Sequence, residues 1–159
     1  MSMFRTLAKA IVLLPLSGAL GAAWADAPGP TPPALPQYQA ECAACHLAYP
    51  PGLLPAASWQ RLMAGLGRHF GTDASLDAST TRAISAWLSQ HAGTYQRVSE
   101  EPPQDRISRS SWFLRKHNAR EVSPEVWKRA AVGSPANCSA CHAQADKGNF
   151  NERDVKIPK

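Results

Sequence analysis

The chain has 159 residues, of which 44% are hydrophobic and 18% charged, with a formal net charge of +5 and four cysteines. That length allows one domain or two small ones, and beyond the first stretch no segment is apolar enough to span a membrane. Two of the positive charges, Arg5 and Lys9, lie at the very start, and most of the rest fall in the second half.

Arg5 and Lys9 precede an apolar run, Ala10 to Ala23, broken by Pro15 and Gly18; Ala23-Trp24-Ala25 is a small-x-small cleavage pattern. Residues 1–25 therefore read as a secretory signal peptide cleaved after Ala25. The run is shorter than the roughly 20 residues that span a bilayer, so no stable membrane anchor is expected after cleavage. Export to the periplasm is the expected localisation. Removal of Arg5 and Lys9 would lower the net charge from +5 to +3.

Residues 26–36 are rich in proline and read as an extended linker. From Leu35 the pattern is helical, with Tyr38, Cys42, Cys45 and His46 on one stripe, until Pro50-Pro51 stops it. Tyr49 to Pro55 reads as a rigid loop. Ser58 is a plausible N-cap for a helix carrying Trp59, Leu62, Met63 and Leu66 at i, i+3, i+4 and i+7, with His69 on the same side and Gly71 at its end. The next helix is expected to start at Asp77 or Ser79, to bury Ile84, Trp87, Leu88 and His91 along one face, and to stop at Gly93.

The polar stretch from Thr94 to Gln104, with Pro102-Pro103, separates a first unit at 37–98 from a second at 105–159. The second opens with a short helix over Ser108 to His117, carrying Trp112, Phe113 and His117. Ser123-Pro124-Glu125 predicts another helix start, with Val126, Trp127 and Ala130 on its buried side. Ser134-Pro135 predicts a third, closed by Gly148. The polar tail has Phe150, Val155 and Ile157 as candidate anchors. No run of β-branched residues has strand spacing. The fold class is therefore mainly α, in two small helical subdomains.

All four cysteines fall in two copies of one motif, Cys42-Ala43-Ala44-Cys45-His46 and Cys138-Ser139-Ala140-Cys141-His142. Cys-x-x-Cys-His is the attachment motif of c-type haem. Thiols three residues apart can both form thioethers to one porphyrin, and the adjacent His46 or His142 then serves as proximal iron ligand. A thioredoxin-like redox pair lacks its βαβ context here, and a four-cysteine zinc ribbon needs its pairs roughly 15–20 residues apart. Two ordinary disulfides do not explain the repeated histidine. Two covalent haems c, held by Cys42, Cys45, Cys138 and Cys141, are the expected cofactors, and covalent haem assembly outside the cytoplasm agrees with export. Haem propionates would bring the whole close to neutral, so no nucleic-acid binding is expected. The basic cluster of Arg106, Arg109, Arg115, Lys116, Arg120, Lys128 and Arg129 reads as a solvated face or as a docking patch for an acidic partner.

Met63, His69, His91 and His117 are the candidate distal ligands. Met1 and Met3 leave with the signal, so two His/Met haems are excluded. His117 is the only spare histidine of the second half. In the first half the pattern favours His69 but leaves His91 and Met63 open.

From Tyr38 to Pro158 the chain resembles the small periplasmic dihaem cytochromes c of proteobacteria. The resemblance rests on Glu41 to Pro55, Ser58 to Gly71, Trp112-Phe113 with His117, Ala136 to His142 and Lys147 to Phe150. It implies bis-His ligation of both irons, with His69 and His117 as distal metal ligands, His91 as a packing residue and Met63 in the core. Pairing within halves, His46 with His69 and His142 with His117, is expected over exchange between them. The first half is similar to a reduced class I cytochrome c domain. The implied function is electron transport, not catalysis, between a membrane b-type cytochrome and a small oxygen-binding monohaem cytochrome c. The rivals are a small haem enzyme of peroxidase or nitrogen-oxide reductase type with one labile sixth ligand, and a haem-bearing sensor or docking subunit.

Overall fold

Helix α3 (Ala78–His91) is the hub of the first half. Its start is fixed by Asp77, whose carboxylate accepts from the Ser79 and Thr80 backbone N–H groups at 2.9 and 3.0 Å. This satisfies two of the donors that every helix start leaves over. Ile84 and Leu88, one turn apart, are 0% and 1% exposed. Both α1 (Pro36–Cys42) and α2 (Ala56–Ala64) pack on α3. Tyr38, Ala48, Leu54, Trp59 and Met63 complete the core cluster around Ile84 and Leu88. Each large apolar side chain removed from water there contributes about 1.5–3 kcal/mol.

The computed structural model describes residues 32–93, 95, 98 and 100–159, so the expected signal peptide and most of the proline-rich linker lie outside the described residues. Among those residues, three α-helices are followed by α4 (Ser111–Lys116); one 3-10 turn lies in each of the first two connections and two, Pro103–Asp105 and Ile107–Arg109, between α3 and α4. Among the described residues no strand occurs; an isolated antiparallel bridge joins His69 to Thr72. The mainly α reading holds.

Several boundaries differ from expectation. Helix α1 ends at Cys42, so Cys45 and His46 lie in the turn beyond it. Ser58 is not a cap: α2 begins after Pro55, and Ser58 is fully buried inside it. Helix α2 also stops early, at Gly65, and a 3-10 turn over Leu66–Arg68 leads to His69. Gly65 and Gly67 make further α-helix costly.

The second half is less regular. Ser110 caps α4, accepting from the Phe113 N–H at 3.3 Å. The helices expected after Ser123 and Ser134 are 3-10 turns, over Pro124–Lys128, Cys138–Ala140 and Ala145–Lys147, and Ala130 is exposed. Gly133 and Gly148, at φ of +74° and +72°, end these pieces. Phe113, Val126, Val132 and Ala145 are buried but do not join the first half's cluster. Phe150 and Val155 are half-buried, whereas Ile157 is exposed. The tail is tied back by the Lys156 N–H donating to the Cys141 carbonyl at 3.0 Å, and by Arg129 donating to the Pro158 carbonyl.

The junction is pinned by Arg61 of α2. Its guanidinium pairs with Glu101 at 2.7 Å and, through two nitrogens, with Asp105 at 2.6 and 3.0 Å. Among the described residues no helix is long and apolar enough to cross a membrane.

Candidate haem sites

In the first site, Cys42 is the last residue of α1 and Cys45 follows in the turn. Burial, with a smaller contribution from Glu41, pushes the Cys42 thiol up to about 11, while Cys45 is exposed. The His46 Nδ1–H donates to the Leu47 carbonyl at 2.7 Å. Because a carbonyl only accepts, this bond fixes the tautomer and leaves Nε2 as the basic, ligating nitrogen.

His69 approaches from the tight turn His69 to Thr72, closed by the Thr72 N–H donating to the His69 carbonyl at 3.0 Å. Phe70 and Gly71 have φ of +50° and +98°. Two consecutive positive φ values are the mark of a type I′ turn. Gly71 adopts this freely, but for a bulky residue such as Phe70 it is strained. The Phe70 ring lies 4.8 Å from the His69 ring, and the Arg106 guanidinium sits 4.0 Å over Phe70. The His46 and His69 rings are 6.1 Å apart between centroids and within 25° of parallel.

In the second site, the 3-10 turn Cys138–Ala140 carries Cys138, and the His142 N–H donates back to the Cys138 carbonyl at 2.8 Å. Burial raises the Cys138 thiol to about 11. His117 ends α4. Its Nδ1–H donates to the Phe113 carbonyl at 3.1 Å, and its ring stacks on Phe113 at 4.0 Å and 12°. Trp127 and Phe150 stand beside His117 and His142 respectively. His117 and His142 are 6.3 Å apart at an interplanar angle of 69°.

These residues fit a haem in each site. A metal held at about 2 Å from one nitrogen of each of two imidazoles separates the ring centres by roughly 6 Å, close to both observed values. The four thiols are unpaired and thus available for thioethers. Burial is the main reason that His69, His117 and His142 lie below the usual histidine range, which favours the neutral form that binds metal. The buried Trp112 Nε1–H and His69 Nδ1 have no protein partner among the described residues. Buried polar atoms are rarely left so, and a haem's propionates are acceptors of the kind the Trp112 N–H needs. Arg61 and Arg68 border the cleft beside His69, and Arg153 and Lys156 the one beside His142, although Arg61 is already engaged by two carboxylates. The zinc reading gains nothing: among the described residues no three His, Cys, Asp or Glu side chains converge.

The family model for dihaem cytochrome c matches residues 38–150. The chain belongs to the dihaem cytochrome c family. Its cofactors are accordingly two c-type haems, and it is an electron-transfer haem protein. Among solved structures, a dihaem cytochrome c from Shewanella baltica is 41% identical with a TM-score of 0.67, covering 77% of this chain and 92% of that one. A crystal structure of the dihaem cytochrome c purified from Rhodobacter sphaeroides is 47% identical with a TM-score of 0.64, covering 74% and 98%. A second Rhodobacter sphaeroides structure gives 45%, 0.65, 73% and 96%. No curated protein matches significantly.

In this dihaem cytochrome the expected pairs come together within halves. The other candidates sit elsewhere: His91 packs edge-on against Trp87, and Met63 lies in the core. Sequence reasoning placed the loop that begins at Tyr49 along a haem edge but gave Tyr49 itself no role, although it stacks on His46 at 5.1 Å, and it did not foresee Arg106 over Phe70. Arg106 carries no local motif; for Tyr49 the available signal was an aromatic residue three positions after His46, inside the Glu41 to Pro55 stretch.

Proposed function

We propose that this protein is a periplasmic electron carrier whose two haems are both bis-His ligated, by His46 with His69 and by His142 with His117. Cys42 and Cys45 bond the first haem, and Cys138 and Cys141 the second. The observation that carries the reading is the pair of imidazole separations, 6.1 and 6.3 Å. Haem iron supplies one-electron exchange between ferric and ferrous forms, and histidine in place of methionine as sixth ligand lowers its potential.

The chain's own contribution is to hold four imidazoles so that little moves when charge changes. Hydrogen bonds to the Leu47 and Phe113 carbonyls orient two of them. With His69 and His117 as second ligands, neither iron would keep a place for substrate, which supports a carrier over an enzyme. Export rests on the signal pattern of residues 1–25. The family resemblance supports a membrane b-type cytochrome as donor and a small oxygen-binding monohaem cytochrome c as acceptor.

One feature favours a second reading, a haem enzyme with a labile ligand at the first site. The His69 Nδ1 has no partner, whereas the His117 Nδ1 is anchored. Optical and EPR spectra of the holoprotein, with carbon monoxide added after reduction, separate the two. The carrier reading expects two low-spin haems per chain and no carbon monoxide shift. A high-spin fraction, or a carbon monoxide shift confined to the first haem, would favour the labile site.

A further inference from the structure

Tyr49 touches both haem sites. Its ring stacks on the His46 imidazole, 5.1 Å between centroids and 29° between planes. Its phenol O–H donates to the Ala136 carbonyl at 2.7 Å, across 87 positions of sequence. That same carbonyl accepts the Cys138 backbone N–H at 3.0 Å. One oxygen therefore links Tyr49 to the residue that begins the second Cys-x-x-Cys-His motif. On its other side Tyr49 is tied to the core, because the Tyr38 O–H, in a residue 3% exposed, donates to the Tyr49 carbonyl at 2.7 Å. A continuous line thus runs from the first half's core through Tyr38 and Tyr49 to Ala136 and Cys138.

We propose that Tyr49 is a positioning residue that couples the two haem sites, holding the second attachment segment at a fixed place against the proximal imidazole of the first. The second half needs such a strut. Ile107 and the Arg61–Asp105 pair tie only the start of the second half to the first; its buried residues Phe113, Val126, Val132 and Ala145 do not join the first half's cluster, and its attachment segment is a single 3-10 turn. Electron exchange between two centres falls steeply with their separation, so a segment free to drift would exchange poorly even with both irons correctly ligated. The hydroxyl fixes the distance between the sites, and the ring limits rotation of His46. The inference rests on the ligation reading above but can fail separately from it.

Tyr49→Phe keeps the ring and removes only the hydroxyl. In the holoprotein both haems should remain attached and low-spin. The spin–spin broadening between the two ferric signals should change, and the two midpoint potentials should shift relative to one another. Trp59→Phe serves as the structural control, since it removes an equally short hydrogen bond, to the Pro51 carbonyl at 2.7 Å, that stays within the first half. It should lower the melting temperature and leave broadening and potentials as they are. Tyr49→Phe with unchanged EPR and redox titration would overturn the proposal, as would the same changes in Trp59→Phe. Should Tyr49→Phe not accumulate, 3-fluorotyrosine can label the otherwise native chain, with Tyr38→Phe and Tyr95→Phe assigning the resonances. The Tyr49 fluorine signal should then move in two steps, one for each haem reduced; movement with one haem alone refutes the coupling role. High-spin iron in the unsubstituted protein would count against the ligation reading instead.

Discussion

Phe113 holds His117 twice, by its ring, stacked at 4.0 Å and 12°, and by its carbonyl, which accepts the Nδ1–H at 3.1 Å. The four-residue spacing along α4 places side chain over side chain. Phe113 is 6% exposed, so it is also part of the little core the second half has. Phe113→Leu should cost about 1 kcal/mol, the usual worth of an aromatic contact, and Phe113→Ala about 3 kcal/mol, because it leaves a cavity. Both should broaden the EPR signal of the second haem and let added imidazole displace His117 more easily. The first haem's signal should not move; denaturant titration and EPR on the same samples check both halves of this expectation.

The two pairs of rings differ in orientation, 25° between His46 and His69 against 69° between His117 and His142. Near-parallel imidazoles donate into one iron d orbital of the π pair and split it from its partner, while near-perpendicular ones treat the two alike. The ferric protein should therefore give two separable low-spin spectra. One is rhombic and belongs to the first site; the other is highly anisotropic, with a large maximum g value, and belongs to the second. Low-temperature EPR of His69→Met and His117→Met variants assigns them. Two superimposed rhombic signals would contradict the geometry.

The chemistry was more legible than the fold. Two five-residue motifs named the cofactor, because that signal is local; the helix face that suggested His69 ends at Gly65, and His69 follows a 3-10 turn instead. Helix α3 was legible because its signals are local as well: Asp77 supplies the cap and Ile84 and Leu88 the face. Ser58 misled because a serine before an apolar stripe looks like a cap, while Pro55 sets the actual start and the hydroxyl is buried. Ser123-Pro124 and Ser134-Pro135 marked real turn starts, but a start does not propagate. Short helices persist only where packing extends them, and the second half has little to pack on. The Arg61 clamp and the Tyr49 bridge join residues 44 and 87 positions apart and leave no trace in any short window.

That thin packing predicts an asymmetry in what each haem supports. The buried residues of the second half are Phe113, Val126, Val132 and Ala145, outside the main cluster. A segment this small rarely folds on apolar burial alone. Replacing Cys138 and Cys141 together by serine should abolish protection from hydrogen exchange across 105–159 while α1, α2 and α3 stay protected. The corresponding change at Cys42 and Cys45 should leave partial protection in α3, because Ile84 and Leu88 remain packed. Exchange mass spectrometry resolves the two cases; equal loss in both halves would mean a single folding unit.

Acid stability should carry the signature of Asp77. Hydrogen bonds from Ser79 and then Thr80 hold its carboxyl well below the usual range. A folded-state value below the unfolded one means that the ionised form favours the folded chain. The stabilisation is complete above the ordinary aspartate value, about 3.9, and is lost as the pH falls from there towards the folded-state value. Asp77→Asn keeps a side-chain acceptor for the cap but removes the titration and the favourable negative charge at the helix start. The variant should thus be slightly less stable than the parent at about pH 7, with the difference shrinking or reversing at about pH 2.5. Asp73, Glu100 and Asp105 are also held low by hydrogen bonds. Both proteins should therefore weaken in acid, and only the difference between them isolates Asp77. Guanidinium midpoints at the two pH values measure it; an identical gap at both would show that the cap makes no pH-dependent contribution to α3.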